Sequence, residues 1–397
     1  MTTLITKPEK TTIKKSTFFS AHKLILVLLS LILFVVIAMG GIGFTFSNTL
    51  LVPVHTNSFN LEITNVSTNS VTLPRTHDTE QPGIFGIFWA GNQAAMVGSI
   101  TTENRTTVTR QLLQTTAPLA NNTMVSFGRD TYRDGLISTL GLPIQTVKVP
   151  DPLGPMPAYY IPGKLKTWAI IVHGQNDALN ADLRFIPPLA TAGLPVLAIS
   201  YRNDLNAPAS PDGLDHLGDT EWQDLQAAVE YARQHGAQHF VLYGLSMGGT
   251  IVEMFMHRSS YASSVQAIIL DSPILDWRST LNYQAQRRHL PAIFADDVEL
   301  MATLRAGINF NALDQMDRKQ GTTPILLFQG TDDTTTPASI CDAFARAHPN
   351  TVTYYRVTGA DHVQSWNSHP ELYDAEVTNF LNKQLHLHLA PLPGFPL

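Results

Sequence analysis

The chain predicts an α/β domain built on a mostly parallel sheet with helices on both faces, preceded by a smaller, mainly β region and one membrane-spanning helix. Three observations carry that expectation. From residue 145 onward, short apolar β-branched runs alternate with segments of helical period, as strands buried between helix layers require. Near the amino terminus, Leu24 to Phe46 runs without a charge, close to the roughly 20 residues a bilayer-spanning helix needs. Between the two, residues 47–140 are rich in Thr, Asn, Ser and Val and broken by Gly, a composition that favours short strands and turns.

Residues 1–23 carry five lysines and one acidic residue, and no charge follows the apolar run until Glu62. This asymmetry predicts a cytoplasmic lysine-rich tail at 1–23 and a transmembrane anchor at 24–46. The rest of the chain then lies outside the cytoplasm, in a single-pass membrane protein. A cleaved secretory signal is the competing reading, but Ala38-Met39-Gly40 is a poor cleavage site and the run exceeds an ordinary signal core. Residues 47–82 are expected to be a spacer or short strands, and Gly83–Trp89 with the Thr/Val runs after it a small accessory β region, together spanning 47–140.

The α/β domain is expected over 141–397. Gln145–Val149 and Ala158–Ile161, joined through Asp151-Pro152-Leu153-Gly154-Pro155, predict an antiparallel edge hairpin. Strands follow at 167–172, 195–200, 239–243, 266–270, 324–329 and 351–357, with helices near 180–192, 219–234, 247–258, 337–347 and 370–384. Leu225, Ala228, Val229 and Ala232 share one helix face and belong to the core. Residues 271–323 are too long for one crossover helix and predict a helical cap, with Trp277, Tyr283, Leu290, Phe294, Leu300 and Leu304 as its apolar lining.

One stretch carries chemistry. Gly244-Leu245-Ser246-Met247-Gly248 follows the apolar run His239–Tyr243 and precedes Thr250–Met256, of helical period. That is G-x-S-x-G in a strand–turn–helix setting, where a sharp turn exposes the serine hydroxyl at the sheet edge. Two further strands end in Gly330-Thr331-Asp332-Asp333 and in Gly359-Ala360-Asp361-His362. A hydroxyl needs a base to accept its proton, and the base a carboxylate to orient it. The order Ser, Asp, His supplies all three.

At these residues the chain resembles the α/β-hydrolase superfamily of serine hydrolases, and within it bacterial hydrolases related to the prolyl-oligopeptidase and serine-aminopeptidase groups. The likeness spans roughly residues 145 to 385. Ser200-Tyr201-Arg202-Asn203-Asp204 and His216–Trp222 look like a membrane-anchored subgroup. The resemblance implies Ser246 as nucleophile, His362 as base and Asp333 as acid, three residues after Gly330 and four before Pro337. Asp332 and Asp271 are the alternatives for the acid. It implies an oxyanion hole from the backbone N–H groups of Met247 and of Gln175, with Asn176 in reserve. A serine nucleophile also sets the chain apart from dehalogenases, epoxide hydrolases and dienelactone hydrolases.

Composition narrows the rest. With 397 residues, 44% apolar, the chain has enough material for one large domain and smaller parts. A net charge of −6 without a basic cluster in the α/β region argues against nucleic acid as a partner. Cys341 is the only cysteine, which rules out an intrachain disulfide and a multi-cysteine metal site. The fourteen histidines lack the His-Glu-x-x-His spacing of zinc hydrolases, and no metal or organic cofactor is implied. The expected substrate is a small acyl compound: a carboxylic ester or thioester first, a short peptide second. An acyltransferase and a non-catalytic binding protein are the rivals from other classes.

Overall fold

The computed structural model describes residues 16–55, 58–316, 321–390 and 392, with side chains from residue 23. The greater part of the expected tail 1–23 and a short piece of the cap, 317–320, lie outside the described residues. Helix α1 (Ser16–Leu51) includes, from Lys23 to Leu51, a stretch long and apolar enough to cross a membrane or to serve as a signal. The helix continues beyond the expected anchor 24–46, to Leu51. Ser47, Leu50 and Leu51 are buried, and the backbone N–H of Asp215 donates to the carbonyl of Leu51 (2.8 Å). The last turns of the helix are therefore part of the folded body, because their apolar side chains find partners there.

A seven-stranded sheet follows. Its strands are β1 (Leu61–Glu62), β2 (Asn65–Val66), β3 (Ser70–Pro74), β4 (Phe85–Trp89), β5 (Gln93–Glu103), β6 (Thr107–Thr115) and β7 (Met124–Gly128), in the spatial order β1-β7-β4-β5-β6-β3-β2. The run 57–73, which reads as stalk or short strand, supplies three of these strands. Alternation along the strands divides their side chains: Phe85, Ile87, Ala95 and Val97 face a core of their own, while Phe88, Ala94 and Met96 face the second domain.

The larger sheet comprises β8 (Gln145–Val149), β9 (Met156–Ile161), β10 (Thr167–Val172), β11 (Val196–Ile199), β12 (His239–Leu245), β13 (Val265–Asp271), β14 (Ile325–Gly330) and β15 (Val352–Val357), in the order β15-β14-β13-β12-β10-β11-β9-β8. The hairpin β8–β9 is antiparallel, β9 pairs antiparallel with β11, and all other pairs are parallel. Helices α2 (Ile186–Thr191), α3 (Trp222–Gln234), α4 (Met247–Arg258), α5 (Trp277–Arg287), α6 (Ile293–Ala306), α7 (Phe310–Leu313), α8 (Ala338–Ala347), α9 (Ser365–Ser368) and α10 (Pro370–Leu385) complete the domain.

Both faces of the sheet are covered. Ile170, Val172 and Leu242 pack with α3, α4 and α8, and with Leu50 and Leu51 of α1. Ala169, Ile171 and Tyr243 pack with α2 and α10 and with the accessory sheet. Strand order reverses at β10, whose neighbours are β11 and β12. Loops after neighbouring strands part at such a point and leave a crevice at the carboxyl ends.

One buried group makes a stability test. Asp182 lies in the 3₁₀ turn Leu179–Phe185 before α2, and among the described residues neither carboxylate oxygen has a hydrogen-bond partner. Burial pushes its carboxyl up to about 8, against the pull of the nearby His173. The unfolded group titrates near 4, so its contribution to stability is full below that pH and is lost as pH rises toward 8. Asp182→Asn should flatten this fall: a few degrees above wild type in melting temperature at pH 8, with the gap closing toward pH 4, read by thermal denaturation across pH.

Candidate active site

β12 delivers Ser246 to the carboxyl edge of the sheet, and α4 begins at the next residue. Ser246 has φ 52°, a left-handed conformation that costs a non-glycine residue about 1–3 kcal/mol. The glycines around it are required by contact distance. A Cβ on Gly248 would lie 2.0 Å from the carbonyl oxygen of Val172, one on Gly244 2.7 Å from that of Gly248, and one on Gly249 2.5 Å from Pro273. The turn is held by the Ser246 N–H donating to Asp271 O (3.0 Å) and by Ser246 O accepting from the N–H of Gly249 (2.9 Å) and Ile274 (3.1 Å).

His362 reaches Ser246 from the loop after β15: Nε2 stands 2.8 Å from the serine Oγ. Its Nδ1 stands 2.8 Å from Asp333 Oδ2. With the proton on Nδ1 pointing at the carboxylate, Nε2 is left to accept from the serine hydroxyl. The Asp333 carboxylate also accepts from the N–H groups of Thr335 (2.8 Å) and Thr336 (2.7 Å), from Thr336 Oγ1 (2.7 Å) and from Gln329 Nε2 (2.8 Å). Burial opposes its charge, yet the imidazole of His362 and the Thr336 donors outweigh burial and hold the carboxyl below its usual range. Ser246, His362 and Asp333 are thus brought together in one hydrogen-bonded chain.

The other acids stand elsewhere. Asp332 is exposed and accepts from Thr331 Oγ1. Asp271 is buried beneath the site and accepts from Ser272 Oγ and Ser365 Oγ (both 3.0 Å); burial pushes its carboxyl up to about 6. Asp361 caps its own loop, accepting from the N–H groups of Thr334 and His362 (both 2.7 Å). Val363, with φ 55°, is an outlier for a β-branched residue. Its N–H donates to Ser272 Oγ and its carbonyl accepts from Arg184, so the turn that aims His362 is fixed from two sides.

The loop after β10 faces the serine: a Cβ on Gly174 would lie 3.0 Å from that of Ser246. His173 is buried, with Nδ1 2.9 Å from Gly174 O and Nε2 2.9 Å from Asp204 Oδ2. Both ring nitrogens face acceptors, so the ring is an imidazolium. Burial opposes that charge, but Asp204 raises the His173 pKa to about 10. It is a fixed structural cation, as is Arg202, paired with Asp224 at 2.6 Å. Trp366 is buried and donates to Asp374 Oδ1. Among the described residues, neither the Met247 nor the Gln175 backbone N–H is taken by a protein acceptor.

Several residues here carry no sequence motif. Gln175 Nε2 donates to Leu50 O (2.5 Å) at the end of α1, and Asn176 Oδ1 accepts from the N–H of Val54 (2.7 Å). From the accessory region, Arg129 donates to both oxygens of Asp177 (2.7 and 2.8 Å). His77 lies 2.9 Å from Asp361, and Asn367 Nδ2 donates to Ile84 O (2.7 Å) and Arg129 O (2.9 Å). The loops bearing Gln175 and His362 are therefore each tied to parts of the chain outside the α/β domain.

A cavity of about 460 Å³ opens above Ser246 and His362, walled by α5, α6 and the end of α1. Of the expected cap lining, Trp277, Leu290 and Phe294 line it, and Tyr283 donates to Asp333 O (2.8 Å) beside it. Leu300 and Leu304 do not. They are 52% and 68% exposed, because Ala295, Val298 and Ala302 occupy the inward face of α6 and helical period turns these leucines outward.

The prolyl oligopeptidase family model matches residues 211–388, and the accessory sheet falls in a domain of unknown function (DUF8805) matched over residues 62–128. The chain is an α/β-hydrolase of the serine hydrolase class. An esterase of Pyrococcus furiosus shares the fold at 20% identity and a TM-score of 0.51, over 62% of this chain and 93% of the esterase. Other similar structures are a Butyrivibrio proteoclasticus protein with ferulic acid bound (16% identity, TM-score 0.46, 61% of this chain and 100% of that one) and an esterase of the bacterial hormone-sensitive lipase family (20% identity, TM-score 0.46, 61% and 85%). No curated protein sequence matches the hydrolase.

The elbow makes a direct test. Gly248→Ala drives a Cβ into backbone that cannot yield, so it should cost the hydrolase more than about 3 kcal/mol, the upper end of ordinary overpacking. Denaturant titration of the variant beside wild type checks this.

Proposed function

We propose that the protein is a membrane-anchored carboxylic ester hydrolase that works through an acyl-enzyme. The observation that carries this reading is the Ser246–His362–Asp333 hydrogen-bonded chain, opening into a mainly apolar cavity. Ser246 Oγ attacks the acyl carbon while His362 Nε2 takes the hydroxyl proton, and Asp333 stabilises the imidazolium that forms. The developing oxyanion is taken by the N–H groups of Met247, at the amino terminus of α4, and of Gln175. His362 then protonates the departing alcohol, and water attacks the acyl-serine with His362 as base.

Peptide hydrolysis is the second reading, favoured by the prolyl oligopeptidase match. An aminopeptidase needs an anion for the substrate's free amino terminus. Asp177 is the one carboxylate among the cavity's described lining residues, and Arg129 already neutralises it. That supports an uncharged acyl ester. In this reading α1 is a single-pass anchor with its lysine-rich end in the cytoplasm and the catalytic domain outside.

Labelling of the full chain by a fluorophosphonate probe should vanish in Ser246→Ala, and failure of the folded wild type to label would overturn the enzyme reading. Asp333→Asn should lower the hydrolysis rate of a p-nitrophenyl ester by about 10⁴-fold, the cost of a wrong imidazole tautomer. Asp332→Asn should stay within a few-fold of wild type. A dead Asp332→Asn with an active Asp333→Asn would reverse the assignment of the acid.

A further inference from the structure

We infer that the natural substrate is a single-chain acyl ester of a bilayer amphiphile, taken sideways from the outer leaflet into a cavity of which the anchor helix itself is one wall. This rests on the ester-hydrolase and membrane-anchor readings above and adds the substrate's class and route.

The length of α1 sets the position of the membrane. From Lys23 to Ile42, α1 rises about 30 Å at 1.5 Å per residue, the thickness of a bilayer's hydrocarbon core. The side chains of Leu24 to Ile37 are exposed along this stretch, a surface suited to lipid rather than water. Gly43 then stands at the far boundary of the hydrocarbon. There α1 meets α6: a Cβ on Gly43 would lie 2.5 Å from Asp297 Oδ2, so the two helices touch at this point and a larger residue would have to displace the Asp297 side chain. Arg305 pins it, donating to Ser47 Oγ (2.6 Å) and Phe44 O (3.2 Å) with its guanidinium 4.2 Å from the Phe44 ring centroid.

The cap helix therefore lies at the membrane surface. Its outward face supports this: Ile293, Leu300 and Leu304 are 56%, 52% and 68% exposed and recur at spacings of seven and four along one side of the helix, beside the exposed polar residues Asp296 and Thr303. An isolated row of large apolar side chains is unfavourable in water but suited to the headgroup–acyl boundary. The occupant of this face is the bilayer in which α1 already stands.

Distance also places the reacting serine's cavity. Phe46, Thr49 and Leu50 line the same cavity as Ser246. They follow Gly43 by three to seven residues, about 5 to 10 Å along the helix, which spans the headgroup layer of about 5 to 8 Å and its outer edge. Leu50, Ile274, Trp277, Leu281, Phe294 and Val298 give it a mainly apolar wall, with Gln284 and Arg288 among the polar lining, and about 460 Å³ is room for one acyl chain. On this inference a chain enters between α1 and α6, both of which line the cavity that holds Ser246. The step conserves atoms simply: the ester's acyl–oxygen bond breaks, the headgroup leaves as an alcohol, and water releases a free fatty acid.

The test uses the full chain in phosphatidylcholine vesicles, carrying either 1-monooleoylglycerol or lysophosphatidylcholine. Fatty acid release is measured beside hydrolysis of soluble p-nitrophenyl acetate and fluorophosphonate labelling. Wild type should cleave at least one lipid. Leu300→Asp/Leu304→Asp should lower that rate at least tenfold while leaving the soluble ester within twofold. Ile293→Asp, at the other end of the same face, gives an independent reading if the double variant does not fold. Wild type active on the soluble ester but on neither lipid, or outward-face variants with unchanged lipid rates, would overturn the inference and leave the hydrolase reading standing. Loss of labelling and of both activities in folded wild type would remove that reading as well.

Discussion

The turn at Ser246 can exist only because the backbone around it is packed without side chains. Gly248 lies against the carbonyl of Val172, Gly249 against Pro273, and Gly244 against the first turn of α4. These contacts press the strand end, the neighbouring loop and the helix start together closely enough to hold a serine at φ 52°. The strain of about 1–3 kcal/mol is offset by the apolar sheet beneath, where each fully buried large side chain contributes about 1.5–3 kcal/mol. His362, and through it Asp333, is aimed at the position this turn defines.

The groups that meet Ser246 arrive on loops, which are the least constrained parts of a sheet protein. Here they are secured from outside the α/β domain. The accessory sheet grips the histidine loop through His77–Asp361 and Ile84–Asn367, and the Gln175 loop through Arg129–Asp177. The end of α1 grips the latter again through Leu50 and Val54. Of these contacts Arg129–Asp177 is the largely buried ion pair, the kind from which removing one partner costs about 3–5 kcal/mol, and it is strong enough to define a loop position. These contacts tie the described part of residues 47–140 to the loops that bear Gln175 and His362.

Buried charge is distributed by the same logic. Asp333 is surrounded by donors and kept ionised, whereas Asp271, with only two hydroxyl donors, has its carboxyl pushed up to about 6. Two buried carboxylates are thereby given different protonation behaviour. His173, between a carbonyl and a carboxylate, is held as a cation and braces the loop that faces the serine.

The sequence by itself determined the sharp turn at Ser246, the order of sheet strands that carry Ser246, Asp333 and His362, and the presence of a long apolar helix. Each is written in local pattern: glycines around one serine, β-branched runs, an uncharged stretch. It also left Asp332, Asp333 and Asp271 as competitors, since a carboxylate's role depends on which donors surround it. Only the tertiary structure decided that α1 continues to Leu51 and enters the cavity wall, that Leu300 and Leu304 face outward, and that Arg129 and His77 brace loops far from them in sequence. These are contacts between segments separated by tens to hundreds of residues, and no local pattern encodes which distant surface will press against a given side chain.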